Sequence, residues 1–169
     1  MKTLEEQMSF YQRYHRNPKN RLTHFFGVPL IMFSLFVLLG LARIEIGGIS
    51  VSAASVLAVA VLGYYFRLDA ALALAMTIFS GVLLVVAHRV AAQGTVVALI
   101  VFAACFVGGW ILQLIGHVFE GKRPALVDNL FQVLIAPIFL MAEVFFVLGY
   151  KRDVAERVEQ LAAQAEAGR

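Results

Sequence analysis

Five apolar runs alternate with short polar breaks along this chain, at about 25–42, 49–66, 70–88, 95–116 and 130–150. Most have 18–22 residues, enough to span a hydrocarbon layer of ~30 Å at ~1.5 Å per helical residue. Ahead of them, residues 3–16 place Leu4, Met8, Tyr11 and Tyr14/His15 near one face, the spacing of an amphipathic helix. Asn17-Pro18 stops that helix, and Asn20 is placed to cap the next one, which runs through His24 into the first apolar run. After the last run, KRDVAERVEQLAAQAEAGR is polar and predicts a helical tail. The pattern predicts an all-α integral membrane bundle with four to five apolar segments and an amphipathic N-terminal helix. It divides into 1–24, a bundle over 25–150 and a tail over 151–169 of one membrane domain.

Composition supports this reading. Of the 169 residues, 61% are hydrophobic, above the 45–50% usual for soluble domains. Between Phe25 and Gly116 the formal charges are Arg43, Glu45, Arg67, Asp69 and Arg89, all between apolar runs. The N-terminus, MKTLEEQMSFYQRYHRNPKN, is polar and lacks a signal-peptide core. The net charge of +3 reflects basic residues at membrane edges, not a nucleic-acid surface. The lone Cys105 excludes an intrachain disulfide and a cysteine metal site.

The basic residues also bear on topology. With five crossings and a cytoplasmic N-terminus, eight of fourteen Lys and Arg lie inside and six outside. If the last segment turns back, twelve lie inside and two outside, in far better agreement with the positive-inside rule. Four crossings plus a broken or re-entrant segment are therefore expected. Pro137 in LIAPIF offers a break point.

The four histidines, His15, His24, His88 and His117, all flank or interrupt apolar runs. Ionisable groups at such depths are costly and read as functional candidates, and imidazole is the commonest metal ligand. His117 and Glu120 are three residues apart on one helix face, where a carboxylate can orient a ligand. Lys122 and Arg123 follow, either as snorkelling anchors or as cations for an acidic head group. His15 and His24 straddle the N-P-K-N turn and can approach one centre from two elements. His88 fits less readily. A straight helix over 95–116 is about 33 Å long, which puts His88 and His117 on opposite faces unless that segment bends, for example at Gly108-Gly109. Glu143, inside FLMAEVFF, either makes a helix–helix hydrogen bond or serves the site as a proton-handling or supporting group.

Three stretches, FYQRYHRNPKNRLTHFFGVPL, AHRV and WILQLIGHVFEGKRPALVDNLFQVLIAPIF, carry a family resemblance. In order and over about 8–150, they resemble the membrane 2-hydroxy-fatty-acid dioxygenase family of fatty-acid α-oxidation. The resemblance implies an Fe(II)-dependent oxidoreductase that takes a 2-hydroxy fatty acid and O2 and yields the acid one carbon shorter. It implies metal positions at His15, His24, His88 and His117. The residues themselves add Glu120, Glu143 and Asn20 as expected supporting groups and Lys122 or Arg123 as the expected partner of the substrate carboxylate. It also implies the endoplasmic reticulum for a eukaryotic member; a bacterial inner membrane is expected here.

Ligand counting refines this expectation. Six-coordinate iron that accepts a chelating 2-hydroxy acid and O2 has room for three imidazoles. One of the four histidines is then labile or acts as an acid or base. Four histidines are too few for a di-iron centre ligated mainly by imidazole, whereas zinc is also compatible with them. The reading from another class is a non-enzymatic membrane scaffold or small transporter gated by histidine titration.

Overall fold

The computed structural model describes residues 3–124 and 131–167. The 125–130 part of the third family motif lies outside the described residues. The elements are α1 (Leu4–Gln12), α2 (Pro18–Leu39), β1 (Arg43–Ile46), β2 (Ile49–Ser52), α3 (Ala53–Leu68), α4 (Ala70–Ala91), α5 (Thr95–Glu120), α6 (Gln132–Val147) and α7 (Arg152–Ala167).

Local chemistry sets the boundaries. Thr3 and Glu6 form a reciprocal capping box on α1, with Thr3 N–H donating to Glu6 Oε2 at 2.9 Å. Asn17 caps α2 by accepting the Lys19 N–H at 2.9 Å, and Pro18 takes the first helical position. The cap is therefore Asn17 and not Asn20, which lies a turn inside the helix. The apolar run expected at 49–66 begins as strand β2, paired antiparallel to β1 with Arg43 opposite Ser52. Gly47 and Gly48, at φ 58° and 83°, make the tight turn between them. Asp69 caps α4 by accepting the Leu72 N–H at 3.0 Å.

α2, α4 and α5 are long and apolar enough to cross a membrane. Val59, Ile78, Val82, Val96, Ile100 and Val118 face outward, an apolar surface rare on soluble monomers and suited to lipid. α2 and α5 pack through glycines. A Cβ on Gly27 would lie 2.9 Å from the Gly109 carbonyl oxygen, and one on Gly109 would lie 2.9 Å from that of Gly27. Small residues allow such close approach where apolar helices gain little from burial alone. α5 runs unbroken from Thr95 to Glu120. The helix is not interrupted at Gly108-Gly109, where Gly109 serves the seam with α2.

The last apolar helix, α6, lies across one end of the bundle. Along its length, the Leu134 carbonyl accepts from Tyr65 Oη, Phe139 packs on Tyr11, and Glu143 pairs with Arg21. Just beyond it, Lys151 pairs with Asp69 at the α3–α4 turn. Glu120 and Lys122 bond to the α1–α2 connection at this same end. The contacts of α6 and of Lys151 thus gather at the one end of the bundle where α1 and α5 also meet. The helix continues through Pro137, so the break expected at the proline is not made there. α7 packs its Val158 and Ala162 face beside α1 at that end. Of the twelve described Lys and Arg, all but Arg43 and Arg89 lie on elements at this end.

Candidate metal centre

Three imidazoles meet beneath α6. His15 comes from the α1–α2 connection, His24 from the second turn of α2 and His117 from the last turn of α5. Their ring centroids lie 4.4 Å apart for His15 and His24, 5.1 Å for His15 and His117, and 5.0 Å for His24 and His117. One nitrogen from each lies within 4.8 Å of the others, and all three rings are buried. Tyr11 stacks flat on His15, with centroids 3.8 Å apart.

Hydrogen bonding fixes the tautomers of two rings. His15 Nδ1 meets the Tyr11 carbonyl at 2.8 Å, and His24 Nδ1 meets the Asn20 carbonyl at 3.0 Å. A carbonyl can only accept, so both Nδ1 atoms carry hydrogen and each neutral ring presents a bare Nε2. Those two Nε2 atoms face each other at 3.1 Å, an arrangement that needs a shared cation or proton. Burial, followed by the field of His24, pushes the His15 imidazole down to about 2, which disfavours the proton. His117 Nδ1 is also buried without a hydrogen-bond partner among the described residues. Neutral, backbone-oriented imidazoles with bare nitrogens on one centre fit a metal ion.

Glu120 fastens the loop that carries His15. Its carboxylate accepts the Arg16 N–H at 3.0 Å, the Asn17 N–H at 2.8 Å and Asn20 Nδ2–H at 3.0 Å. Asn20 Nδ2 also donates to the Tyr14 carbonyl at 3.1 Å. Glu120 therefore positions a backbone and orients no ring directly. Arg21 donates through Nε to the His15 carbonyl at 2.8 Å and through Nη1 to Glu143 Oε2 at 3.0 Å. Glu143 thus reaches the site through Arg21, and it does not line the cavity below. Gly116 makes the α2–α5 approach possible, since a Cβ there would run into Thr23 Oγ1 and Asn20 Oδ1.

His88 is not brought to this cluster. Its Nε2 bonds to Ser52 Oγ at 2.8 Å beside the hairpin, at the other end of the bundle. Because α5 is unbroken, about 33 Å of helix separates its start near that end from His117. Lys122 donates to the Arg13 carbonyl at 2.8 Å, and neither Lys122 nor Arg123 lines the cavity at the cluster.

That cavity holds about 170 Å³. It begins at His15, His24 and His117 and follows one face of α2 through Val28, Met32 and Leu35 to Phe36. From His24 to Phe36 is about 18 Å of helix rise. Leu57 and Val133, which line it, are also exposed on the apolar outer surface. The polar lining includes Gln113 and Gln132, which sequence reasoning passed over. The signal was available, since each is a lone amide inside an apolar run and Gln113 precedes His117 by one helical turn.

An apolar helical bundle whose buried three-imidazole cluster heads an apolar cleft fits the class of membrane metalloenzymes. The comparisons are specific about which. The chain belongs to the Mpo1-like family, described as 2-hydroxy-palmitic acid dioxygenase Mpo1-like, whose model matches residues 1–148. It is 39% identical over 150 residues to the 2-hydroxy-palmitic acid dioxygenase MPO1 of Saccharomyces cerevisiae, covering 87% of this chain and 82% of that protein. No solved structure matches.

Proposed function

We propose that this chain is an iron(II)-dependent dioxygenase that shortens 2-hydroxy fatty acids by one carbon. The observation that carries the reading is the set of three buried imidazoles lining an apolar cleft. His15, His24 and His117 would hold the metal. Three nitrogen ligands leave positions for a chelating 2-hydroxy acid and for O2. His88 is outside the ligand set. When bound, iron(II) supplies the redox chemistry that lets O2 react.

The rest of the mechanism belongs to the chain. The cleft takes the acyl tail from the bilayer through its apolar mouth and excludes water from the head. The carbonyls of Tyr11 and Asn20 hold two rings in the ligating tautomer, and Glu120 holds the His15 loop against α5. The overall balance needs no outside reductant: R–CH(OH)–COOH plus O2 gives R–COOH, CO2 and H2O. The C1–C2 bond breaks, the two carbons are oxidised, and O2 takes up all four electrons. The end rich in Lys and Arg faces the cytoplasm by the positive-inside rule. The membrane is then a bacterial inner membrane, or the endoplasmic reticulum in a eukaryotic host.

The test is anaerobic iron loading of purified protein, then O2 uptake with and without 2-hydroxypalmitate. One O2 consumed and one CO2 released per pentadecanoate formed is expected. Iron-loaded protein that consumes no O2 above the substrate-free control overturns the reading.

A further inference from the structure

Two amides beside the histidines have no described partner. Gln132 is 2% exposed, and both its Nε2 and its Oε1 lack a hydrogen bond among the described residues. Gln113 is 6% exposed, and its Nε2 is likewise unmatched. Both line the cavity at its histidine end. Gln113 lies one turn before His117 on α5, and its Nε2 lies against α2 at Gly27, where an added Cβ would come within 2.5 Å of it. Gln132 opens α6, the helix laid across the site. The two amides thus reach the head of the cleft from separate elements.

A buried amide without a partner costs free energy that a ligand can recover. Nearly all such groups in folded proteins are matched, so two at one cavity, amid apolar lining, call for an explanation. We infer that Gln113 and Gln132 form an amide clamp that holds the polar head of a 2-hydroxy acid, each donating Nε2–H to a carboxylate oxygen. Gln132 Oε1 is left to accept the 2-hydroxyl. The clamp depends on the dioxygenase reading for the identity of its ligand. It places the carboxylate inside the cleft, whereas Lys122 spends its ammonium on the Arg13 carbonyl outside it.

Trp110, the only tryptophan, lines the same cavity, so its fluorescence reports occupancy without turnover. The experiment titrates iron(II)-loaded protein, kept anaerobic, with 2-hydroxyhexadecanoate and with its methyl ester, in wild type, Gln113→Met and Gln132→Met. Loss of a hydrogen bond to a charged group predicts roughly ten- to hundredfold weaker binding of the acid by each variant. The ester, which lacks the charge, is expected to lose less than the acid. Removing an unmatched amide also predicts a melting temperature equal to or above that of wild type, which a merely structural glutamine would not give. Unchanged acid affinity in both variants overturns the clamp, as does a wild type that binds no acid at all. A wild type that binds the acid tightly but, once given O2, does not turn it over overturns the dioxygenase reading and leaves the clamp standing.

Discussion

Replacing Glu120 with Gln tests whether the metal centre depends on the carboxylate that fastens its loop. Glu120 accepts three hydrogen bonds, from the Arg16 and Asn17 amides and from Asn20 Nδ2. Glutamine keeps one acceptor. Turned toward Asn17 and Asn20, it presents its NH2 to the Arg16 N–H, donor against donor. One bond is lost outright, and the other two lose their charge. A hydrogen bond to a charged group contributes about 1.5–3 kcal/mol and a neutral one about 1 kcal/mol. The sum is about 4 kcal/mol, reduced to about 2–3 kcal/mol because Glu120 is only half-buried and water screens it. At about 1.4 kcal/mol per tenfold, the loop that carries His15 docks roughly thirty- to hundredfold less firmly. Metal affinity should fall by a similar factor, within the range usual for residues that orient ligands. Chelator competition under anaerobic conditions measures the affinity, and hydrogen exchange at Arg16 and Asn17 measures the docking. An affinity within twofold of wild type, with amide protection unchanged, refutes the reasoning.

The remaining predictions concern other parts of the frame. Gly116→Ala drives a methyl group into Thr23 and Asn20 and should cost about 1–3 kcal/mol. Its melting temperature and metal content should both drop, whereas Gly108→Ala, which meets open space, should match wild type in both. His88→Ala releases Ser52 at a cost of about 0.5–1.5 kcal/mol; metal stoichiometry should stay at the wild-type value, and its loss would return His88 to the ligand set. Asp69 ties α4 to Lys151. Burial raises its carboxyl, but the Leu72 N–H and Lys151 outweigh this and hold it below the usual carboxylate value. A folded-state value below the unfolded one means stability that is full above the ordinary carboxylate value and is lost as pH falls through the depressed one. Thermal melts across the acid range should therefore show a fall that Asp69→Asn flattens.

The sequence made the membrane class legible because apolar run length is a direct physical requirement of a bilayer. The same local reasoning passed over the hairpin, although RIEI and ISVS alternate in the strand period and Gly47-Gly48 supplies the turn between them. Asn17 and Asn20 are both good caps by type, and the choice between them falls to Pro18, which prefers the first helical position. The turn between His15 and His24 allows both to approach one centre, but only the family resemblance joined His117 to them, and it joined His88 as well. His88 could not be placed, because its position depends on whether α5 bends. That in turn depends on Gly109 meeting Gly27, a contact between helices far apart in sequence. Gln113 and Gln132 were equally visible as residues. What makes them candidates is the absence of a described partner, a property of the packed structure alone.

The location of these amides has an energetic logic. On the proposed reaction, an acyl tail passing from bilayer to cleft exchanges one apolar surrounding for another. Hydrophobic stabilisation arises on leaving water, so the transfer itself contributes little, just as apolar helices gain little by associating within lipid. The tail cannot then be what distinguishes a 2-hydroxy acid from the abundant unmodified chains around it. Discrimination falls to the head, where an unmatched polar group inside the protein is costly and a matched one is not. An apolar cleft lined by three buried imidazoles and two unmatched amides follows that division. The α1–α2 loop, α5 and α6 each supply part of that lining. On that reaction, Glu120 and Arg21, which join these elements, would bear on selectivity as well as on metal retention.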